Sequence, residues 1–399
     1  MVAGPNIHIC DECVELSVSI VAEQRARNGK IGGASNIPTP REVFDYLSQY
    51  VIGQDDAKRS LAVAVHNHYI RLEQLEARAD IELSKSNILL IGPTGTGKTH
   101  IARALARMLD VPFAMGDATT LTQAGYVGED VESVISKLYQ NSGGDVEKTQ
   151  RGIVYIDEID KISKMGAGQS VTRDVTGEGV QQALLKLMEG TVASVMPQGG
   201  RANPDAAKIK IDTSNILFIC GGAFAGLDRI IADRIEDRSI GFAGKVDTTT
   251  EGDRVGKLMR QRTAEDIVQY GLIPEFIGRL PIITTLDDLD EPALVRILTE
   301  PKDAIVRQFE HMFSLKGVSL DFKEDGLVAI AKAAIARKTG ARALRSIIEE
   351  MLLDDMFDLP DIAAEIGSVE VDAAAVAKEG RPTRVPRPSN DDVALKTAV

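Results

Sequence analysis

Gly92-Pro93-Thr94-Gly95-Thr96-Gly97-Lys98-Thr99 follows the apolar run Ile88-Leu89-Leu90-Ile91 without interruption. A G-x-x-x-x-G-K-T pattern between a buried strand and a helix predicts a phosphate-binding loop. The glycines allow backbone N–H groups to surround a β-phosphate, Lys98 reaches the β- and γ-phosphate oxygens, and the Thr99 hydroxyl can ligate Mg²⁺. Apolar residues at helical spacing follow the loop, at positions 101, 105, 108 and 109. We therefore predict an α/β fold that binds a nucleoside triphosphate, and we include His100 beside the loop in the binding site.

Two adjacent carboxylates, Asp157 and Glu158, end a second apolar run at residues 153–156. In folds of this kind the end of such a strand lies beside the phosphate loop, and neighbouring positions there can take different roles. Asp157 would hold Mg²⁺, directly or through water, and Glu158 would orient the water that attacks the γ-phosphate. Together with Lys98, the pair predicts ATP hydrolysis rather than phosphoryl transfer to another substrate. The structural alternative is an acidic strand end followed by a solvated helix.

The composition is that of an ordinary globular protein of 399 residues, 44% of them apolar, which is long enough for two or three domains. Asp and Glu outnumber Lys and Arg by 59 to 46, and the net charge of −13 argues against broad electrostatic binding to nucleic acid. The chain has no long apolar run and no secretory signal pattern, so we expect no membrane partner and a cytoplasmic location. Three cysteines cannot form a disulfide framework.

Composition and periodicity divide the chain into four parts. Residues 1–36 carry a C-x-x-C pair and end in a glycine-rich linker. In residues 37–286 strands and helices alternate, with buried strand candidates at 87–91, 153–156 and 215–220, which predicts a large ATPase domain built on a parallel sheet. Residues 287–372 are helical by period with one strand candidate at 318–322, and predict a smaller, mainly helical α+β domain. The tail, residues 373–399, is rich in Ala, Pro and Arg, and we expect it to be disordered.

These motifs together resemble the ClpX family, AAA+ unfoldases that feed the ClpP peptidase, and the resemblance extends from about Cys10 to Pro360. It implies ATP and Mg²⁺ as cofactors, and a homohexameric ring with polypeptide substrates, adaptors and ClpP as partners. Gly125-Tyr126-Val127-Gly128 resembles the first pore loop of the family, in which Tyr126 and Val127 grip an extended polypeptide. Residues 173–179, beginning with Arg173, resemble the second pore loop. Without the family, GYVG alone would be a turn or a strand end.

Other segments resemble the parts of the family that contact the peptidase and the nucleotide. Ile240-Gly241-Phe242 resembles the loop that docks into apolar clefts on ClpP. The related ring ATPase HslU lacks this loop. A lone IGF tripeptide could also be a core contact. Arg279, in GLIPEFIGRLP, would reach the γ-phosphate of a neighbouring subunit. Arg342, in GARALR, would touch the nucleotide of its own subunit, with a surface ion pair as the alternative. Val51 and Ile52 resemble the segment that closes over adenine.

The chain departs from the family at three places. The zinc module of the family uses two C-x-x-C pairs, but only Cys10 and Cys13 are found here. Two of the four zinc ligands are therefore absent, and zinc binding is in doubt. We expect an upstream segment to be missing. Arg201-Ala202-Asn203 replaces a basic loop at the pore entrance, which leaves substrate choice open. Cys220-Gly221-Gly222 ends a strand where many AAA+ proteins place a polar first sensor, and it offers no obvious candidate.

The sequence therefore predicts an ATPase that unfolds proteins and moves them through a hexameric pore into ClpP, with no peptidase activity of its own. One alternative keeps the enzyme class and drops the peptidase, which gives a remodelling chaperone. A second alternative is a nucleotide-switched scaffold without turnover, and the presence of Glu158 and Arg279 argues against it.

Overall fold

The computed structural model describes residues 2–4, 7–9, 37–76, 83–122, 129–163, 177–195, 208–238, 251–377 and 380–387. The chain forms two compact units, residues 1–38 and 39–399. In the first unit, strands β1 (Val2–Gly4) and β2 (Ile7–Ile9) pair as an antiparallel hairpin. The second unit contains all the other described elements.

Helices and strands alternate in the first part of the second unit, which we call the large domain. In chain order the elements are α1 (Pro40–Ser48), α2 (Asp55–Glu76), β3 (Ile88–Ile91), α3 (Lys98–Met108), β4 (Phe113–Asp117), β5 (Leu121–Thr122), β6 (Glu129–Asp130), α4 (Ser133–Asn141), α5 (Val146–Gln150), β7 (Ile153–Asp157), a short 3₁₀ helix (Ile159–Ile162), α6 (Gly177–Glu189), β8 (Val192–Val195), β9 (Ile209–Asp212), β10 (Leu217–Gly222), α7 (Leu227–Arg238), α8 (Glu251–Arg260), α9 (Ala264–Tyr270), α10 (Pro274–Gly278) and β11 (Ile282–Thr285).

Five of these strands form one parallel sheet in the order β11-β3-β10-β7-β4. The three buried strand candidates of the sequence are β3, β7 and β10, and β10 begins and ends two residues later than expected. Because the strands are parallel, their carboxyl ends meet at one edge of the sheet, where Ile91 pairs with Gly222 and Asp117 with Asp157. The predicted fold class, a parallel sheet with flanking helices followed by a smaller domain, is confirmed.

Both faces of the sheet are buried by helices. Successive side chains of a strand point to opposite faces, so each strand contributes to a core on either side of the sheet. Ile88 and Leu90 pack on one face with the apolar sides of α1, α2 and α3. Leu89 and Ile91 pack on the other face with α4, α6, α7 and α9. This arrangement explains why the central strands are apolar throughout and why their polar residues stand only at the ends.

The second part of this unit, which we call the small domain, has its own core. Its elements are α11 (Glu291–Thr299), α12 (Ile305–Ser314), β12 (Ser319–Phe322), α13 (Glu324–Ala336), α14 (Arg342–Ile362), β13 (Ile366–Val371), α15 (Ala373–Val376) and β14 (Thr383–Pro386). Strands β12 and β13 pair in parallel, and β14 is antiparallel to β13. Apolar residues of the helices cover this sheet. No helix in the described ranges is long and apolar enough to span a membrane.

The expectation that disorder begins at residue 373 is wrong for the described residues up to 387. Strand β14 pairs with β13, so its backbone groups gain the partners that composition alone does not reveal. Arg384 donates to both Asp355 and Asp358 on α14 at 2.7 Å, and Asp355 is buried. Arg387 donates to the carbonyl oxygen of Gly317 at 2.7 Å. The arginines of this segment thus anchor the strand, and they are not signs of a solvated tail.

Candidate nucleotide-binding site

The phosphate loop lies at the carboxyl edge of the sheet, between β3 and α3. Gly95 and Gly97 have φ angles of 87° and 99°, a left-handed conformation that residues with a Cβ atom rarely adopt. These glycines let the chain turn from the strand into a helix that begins at Lys98. The first N–H groups of α3 have no partner inside the helix, and together with the helix dipole they attract anions. The loop is therefore built to hold phosphate groups.

Lys98 is held inside the loop rather than extended into solvent. Its side chain is 8% exposed, and its ammonium group donates to the carbonyl oxygens of Gly92 at 2.5 Å and of Pro93 at 2.9 Å. Burial lowers the pKa of Lys98, while the nearby carboxylates of Asp157 and Asp160 act in the opposite direction. A buried ammonium among carbonyl oxygens gains strongly from an additional anion, so the site favours phosphate.

Asp157 and Thr99 bring two oxygen ligands together across the loop. The Thr99 hydroxyl donates to Asp157 Oδ2 at 3.2 Å, and the Tyr155 hydroxyl donates to Asp157 Oδ1 at 3.1 Å. Mg²⁺ prefers oxygen ligands, and at sites of this kind it takes one or two from the protein and the others from phosphate and water. The described residues contain no group of three or more His, Cys, Asp or Glu that could hold a metal ion alone. The pair therefore fits a magnesium ion that is bound together with a nucleotide.

Glu158 has an unusual backbone conformation directly after β7. Its φ and ψ are 56° and 34°, left-handed for a residue that is not glycine, which costs on the order of 1–3 kcal/mol. Its amide nitrogen donates to Asp157 Oδ1 at 3.0 Å. The side chain of Glu158 is exposed, whereas that of Asp157 is half-buried. The turn thus separates the two carboxylates, as different roles in hydrolysis require.

Two compartments that share some of their lining residues surround the loop. The first has a volume of about 380 Å³ and is lined by Gly95, Gly97, Lys98, Thr99, His100, Arg103, Met115, Asp157, Ala341 and Arg342. The second, of about 280 Å³, lies between the large and small domains and is lined by Tyr50, Val51, Ile52, Gly95, Thr96, Gly97, His100, Leu289, Ile297, Pro301, Asp303, Ile305, Gln308 and Ala341. The first contains the phosphate-binding groups, and the second is mostly apolar, which suits a flat aromatic base. His100 lines both, and its Nε2 lies 3.3 Å from the Tyr50 carbonyl oxygen.

Hydrogen bonds to backbone groups join the two domains around these compartments. The Gln54 side chain donates to the Asp287 carbonyl oxygen at 2.9 Å and accepts from the Asp287 amide at 2.8 Å. The Lys302 amide donates to the Gln49 carbonyl oxygen at 2.9 Å. Arg342 is the first residue of α14 and faces the phosphate compartment from the small domain. A bound nucleotide would therefore touch both domains.

Arg279 lies far from the phosphate loop of its own chain. Its carbonyl oxygen accepts from the Asn87 side chain at 3.0 Å, and Asn87 stands just before β3, whereas the loop follows β3. Four strand residues separate the two by roughly 13 Å. The exposed guanidinium pairs with Glu189 at 2.8 Å. The structure thus does not bring Arg279 together with Lys98.

Several predicted residues lie outside the described ranges, so their roles stay predictions. They are Cys10, Cys13, Tyr126, Val127, Arg173, Ile240, Gly241 and Phe242. Gly92 and Pro93 take part through their carbonyl oxygens, and Thr94 is exposed at the loop.

Sequence reasoning missed the small-domain wall of the base compartment, which comprises Leu289, Ile297, Pro301, Asp303, Ile305 and Gln308. Ile297 and Ile305 follow the helical period of α11 and α12, so nothing in the pattern distinguishes them from core residues, and Leu289 and Pro301 lie just outside these helices. It also missed Arg103, which stands one turn after His100 and faces the phosphate compartment. A basic residue close behind the loop motif is the signal that could have suggested it.

Known proteins resemble both domains. Residues 83–283 match the AAA domain family (Cdc48 subfamily), and residues 289–367 match the C-terminal D2-small domain of ClpB protein. The ATP-dependent Clp protease ATP-binding subunit ClpX of Treponema denticola is 52% identical over 363 residues. That alignment covers 91% of this chain and 87% of the relative.

Proposed function

The chain belongs to the ClpX family of AAA+ ATPases and is an ATPase, and from this premise we propose that it is the protein-unfolding subunit of a Clp protease. The observation that carries the proposal is the shared construction of the nucleotide site. Val51 and Lys98 of the large domain and Arg342 of the small domain line its two compartments. Binding and hydrolysis of a nucleotide between two domains can change their relative orientation, and this motion is what an ATP-driven unfoldase needs.

For the chemical step, Lys98 would bind the β- and γ-phosphate oxygens of ATP, and Thr99 and Asp157 would hold Mg²⁺. When bound, the ion neutralises charge on the phosphate oxygens. Glu158 orients the attacking water and accepts its proton. Arg342 contacts the phosphates from the small domain, and Val51 and Ile52 cover the adenine.

Arg279 completes the site of a neighbouring subunit. Its side chain is 55% exposed, and its backbone lies at the opposite end of β3 from the phosphate loop of its own chain. Charge that develops on the γ-phosphate can be stabilised by an arginine supplied by another subunit. Hydrolysis would then require the homohexamer that the family resemblance implies.

Tyr126, Val127 and Arg173 contact the polypeptide in the pore, and Ile240-Gly241-Phe242 docks on ClpP. Polypeptides and adaptors are the other partners, and the chain has no peptidase activity of its own. The site geometry supports ATP turnover, while the pore and docking roles rest on the resemblance of these segments to the family.

Two variants test the proposal together with ClpP. Deletion of residues 240–242 should abolish binding to immobilised ClpP and leave ATP hydrolysis by the free chain unchanged. Tyr126→Ala should still bind ClpP and hydrolyse ATP, but should degrade a folded, degron-tagged protein slowly. Unfolding without any requirement for ClpP or for residues 240–242 would favour the free chaperone. ATP binding without turnover would favour the scaffold.

A further inference from the structure

Strand β10 ends in two glycines whose side-chain positions are occupied by neighbouring groups. A Cβ atom added to Gly221 would overlap the hydroxyl of Tyr155 and lie 2.8 Å from its Cζ atom. A Cβ atom added to Gly222 would lie 2.7 Å from both Asp160 Oδ1 and the Phe224 ring. Tyr155 belongs to β7, which pairs with β10, and Asp160 lies in the 3₁₀ helix that follows β7. The polar side chains beside the end of β10 thus come from β7 and the 3₁₀ helix.

The Tyr155 hydroxyl is directed at the carboxylate of Asp157. The side chain of Tyr155 is fully buried, and its hydroxyl donates to Asp157 Oδ1 at 3.1 Å. The amide of Glu158 donates to the same oxygen at 3.0 Å, which leaves Oδ2 to face the Thr99 hydroxyl at 3.2 Å. The terminal torsion of an aspartate is soft, so two donors on one oxygen fix the plane of the carboxylate.

The Tyr155 hydroxyl is a polar group on a fully buried ring, and Asp157 accepts its hydrogen bond. A phenylalanine would fill almost the same space, so packing alone does not explain a buried hydroxyl here.

We propose that Tyr155 is a positioning residue for the ATPase reaction: it orients Asp157 toward the magnesium position and supplies, from β7, the polar group that β10 lacks. Gly221 is required for this arrangement, because only a glycine leaves room for the phenol ring of Tyr155 at the end of β10. This inference rests on the proposed function, since it assigns Tyr155 a role at the magnesium ligands of that site.

Tyr155→Phe tests the proposal, with Tyr69→Phe as the matched control. Tyr69 also donates one hydrogen bond, to the Arg151 carbonyl oxygen at 3.2 Å, and Arg151 stands before the opposite end of β7. Mn²⁺ binding is measured by electron paramagnetic resonance with a non-hydrolysable ATP analogue, and analogue binding is measured separately in EDTA. Loss of a group that orients a metal ligand typically weakens metal binding by 10-fold or more, so we expect about 10-fold weaker Mn²⁺ binding for Tyr155→Phe. Binding of the analogue in EDTA should not change, and Tyr69→Phe should match the wild type in both measurements.

Gly221→Ala provides a second test, because it leaves Tyr155 in the chain but displaces its phenol ring. It should weaken Mn²⁺ binding as Tyr155→Phe does. Wild-type Mn²⁺ affinity in both variants would overturn the positioning role, as would equal losses of Mn²⁺ and metal-free nucleotide binding. These outcomes differ from failure of the proposed function, in which the wild-type chain itself would bind no analogue or hydrolyse no ATP.

Discussion

Gly95 of the phosphate loop and Gly340 of the small domain are in direct backbone contact: a Cβ atom added to Gly95 would lie 2.9 Å from the Cα atom of Gly340. The amide of Ala341 also donates to the Gly95 carbonyl oxygen at 3.4 Å. Gly95 and Gly340 have left-handed φ angles of 87° and 58°. The phosphate loop thus touches the segment that begins α14, so a shift of one must move the other.

Gly340→Ala should weaken ATP binding and lower stability. The left-handed backbone disfavours a Cβ atom by roughly 1–2 kcal/mol, and the added methyl would also press on the Thr94 carbonyl oxygen. Gly143→Ala is the control, because Gly143 has a φ of 74° with open space around it. Nucleotide titration and thermal unfolding measure both effects. Equal ATP affinity in the two variants would show that the contact with the loop has no role in binding.

Glu158→Gln should bind ATP normally and hydrolyse it slowly. The substitution keeps the size of the side chain and removes the carboxylate that orients water, a change that typically costs about 10²–10⁴-fold in rate. Glu147→Gln, on the exposed face of α5, should behave as the wild type. Phosphate release and nucleotide titration provide the measurements. A Glu158→Gln variant with full ATPase activity would revive the nucleotide-switched scaffold.

Arg279→Ala should be inactive alone and recover activity when mixed with Lys98→Ala subunits. In such a mixture, an Arg279→Ala subunit keeps an intact phosphate loop, and a neighbouring Lys98→Ala subunit would supply Arg279 to it. An arginine supplied by another subunit is worth about 10³–10⁵-fold in rate, so partial recovery should be easy to detect. Mixing Arg279→Ala with the Lys98→Ala/Arg279→Ala double variant supplies no arginine and should give no recovery. Full activity of Arg279→Ala alone would exclude this role.

Lys85 should make stability depend on pH in the alkaline range. Burial, together with the nearby charge of Arg71, lowers the pKa of Lys85 to about 7, while Asp212 opposes the shift. Between pH 7 and the ordinary value of 10.5 the unfolded chain holds a proton that the folded chain has released, so the free energy of unfolding gains a positive slope with pH. Below pH 7 both states are protonated and this slope disappears.

Lys85→Met should therefore remove part of the rise in unfolding free energy between pH 7 and pH 9.5. Urea unfolding at several pH values measures the free energy of unfolding of both proteins. Lys186→Met, at an exposed position of α6, should keep the wild-type slope. Parallel curves for the wild type and Lys85→Met would contradict the shifted pKa.

Local motifs predicted the fold class and the large-domain half of the nucleotide site. A phosphate loop and a strand that ends in acidic residues are short, and a parallel sheet brings their ends to one edge whatever the intervening sequence. Lys98, Thr99 and Asp157 were therefore predictable as neighbours. The contact of Tyr155 with Asp157 was not, because the phenol reaches Asp157 through the space that Gly221 of β10 leaves open.

Features that depend on distant pairing escaped the sequence. Strand β14 was interpreted as disordered tail, since a short segment rich in Pro and Arg carries no apolar alternation. The small-domain wall of the base compartment was not predicted, because periodicity shows that a helix face is apolar and not what covers it.

The most direct test of the unfoldase function is the fluorescence of a stably folded, degron-tagged fluorescent protein mixed with this chain, ClpP and ATP. Fluorescence should fall with the wild-type chain and remain constant with Glu158→Gln or with a non-hydrolysable analogue, because unfolding is driven by hydrolysis. Constant fluorescence while the wild-type chain hydrolyses ATP and binds ClpP would contradict the proposed function.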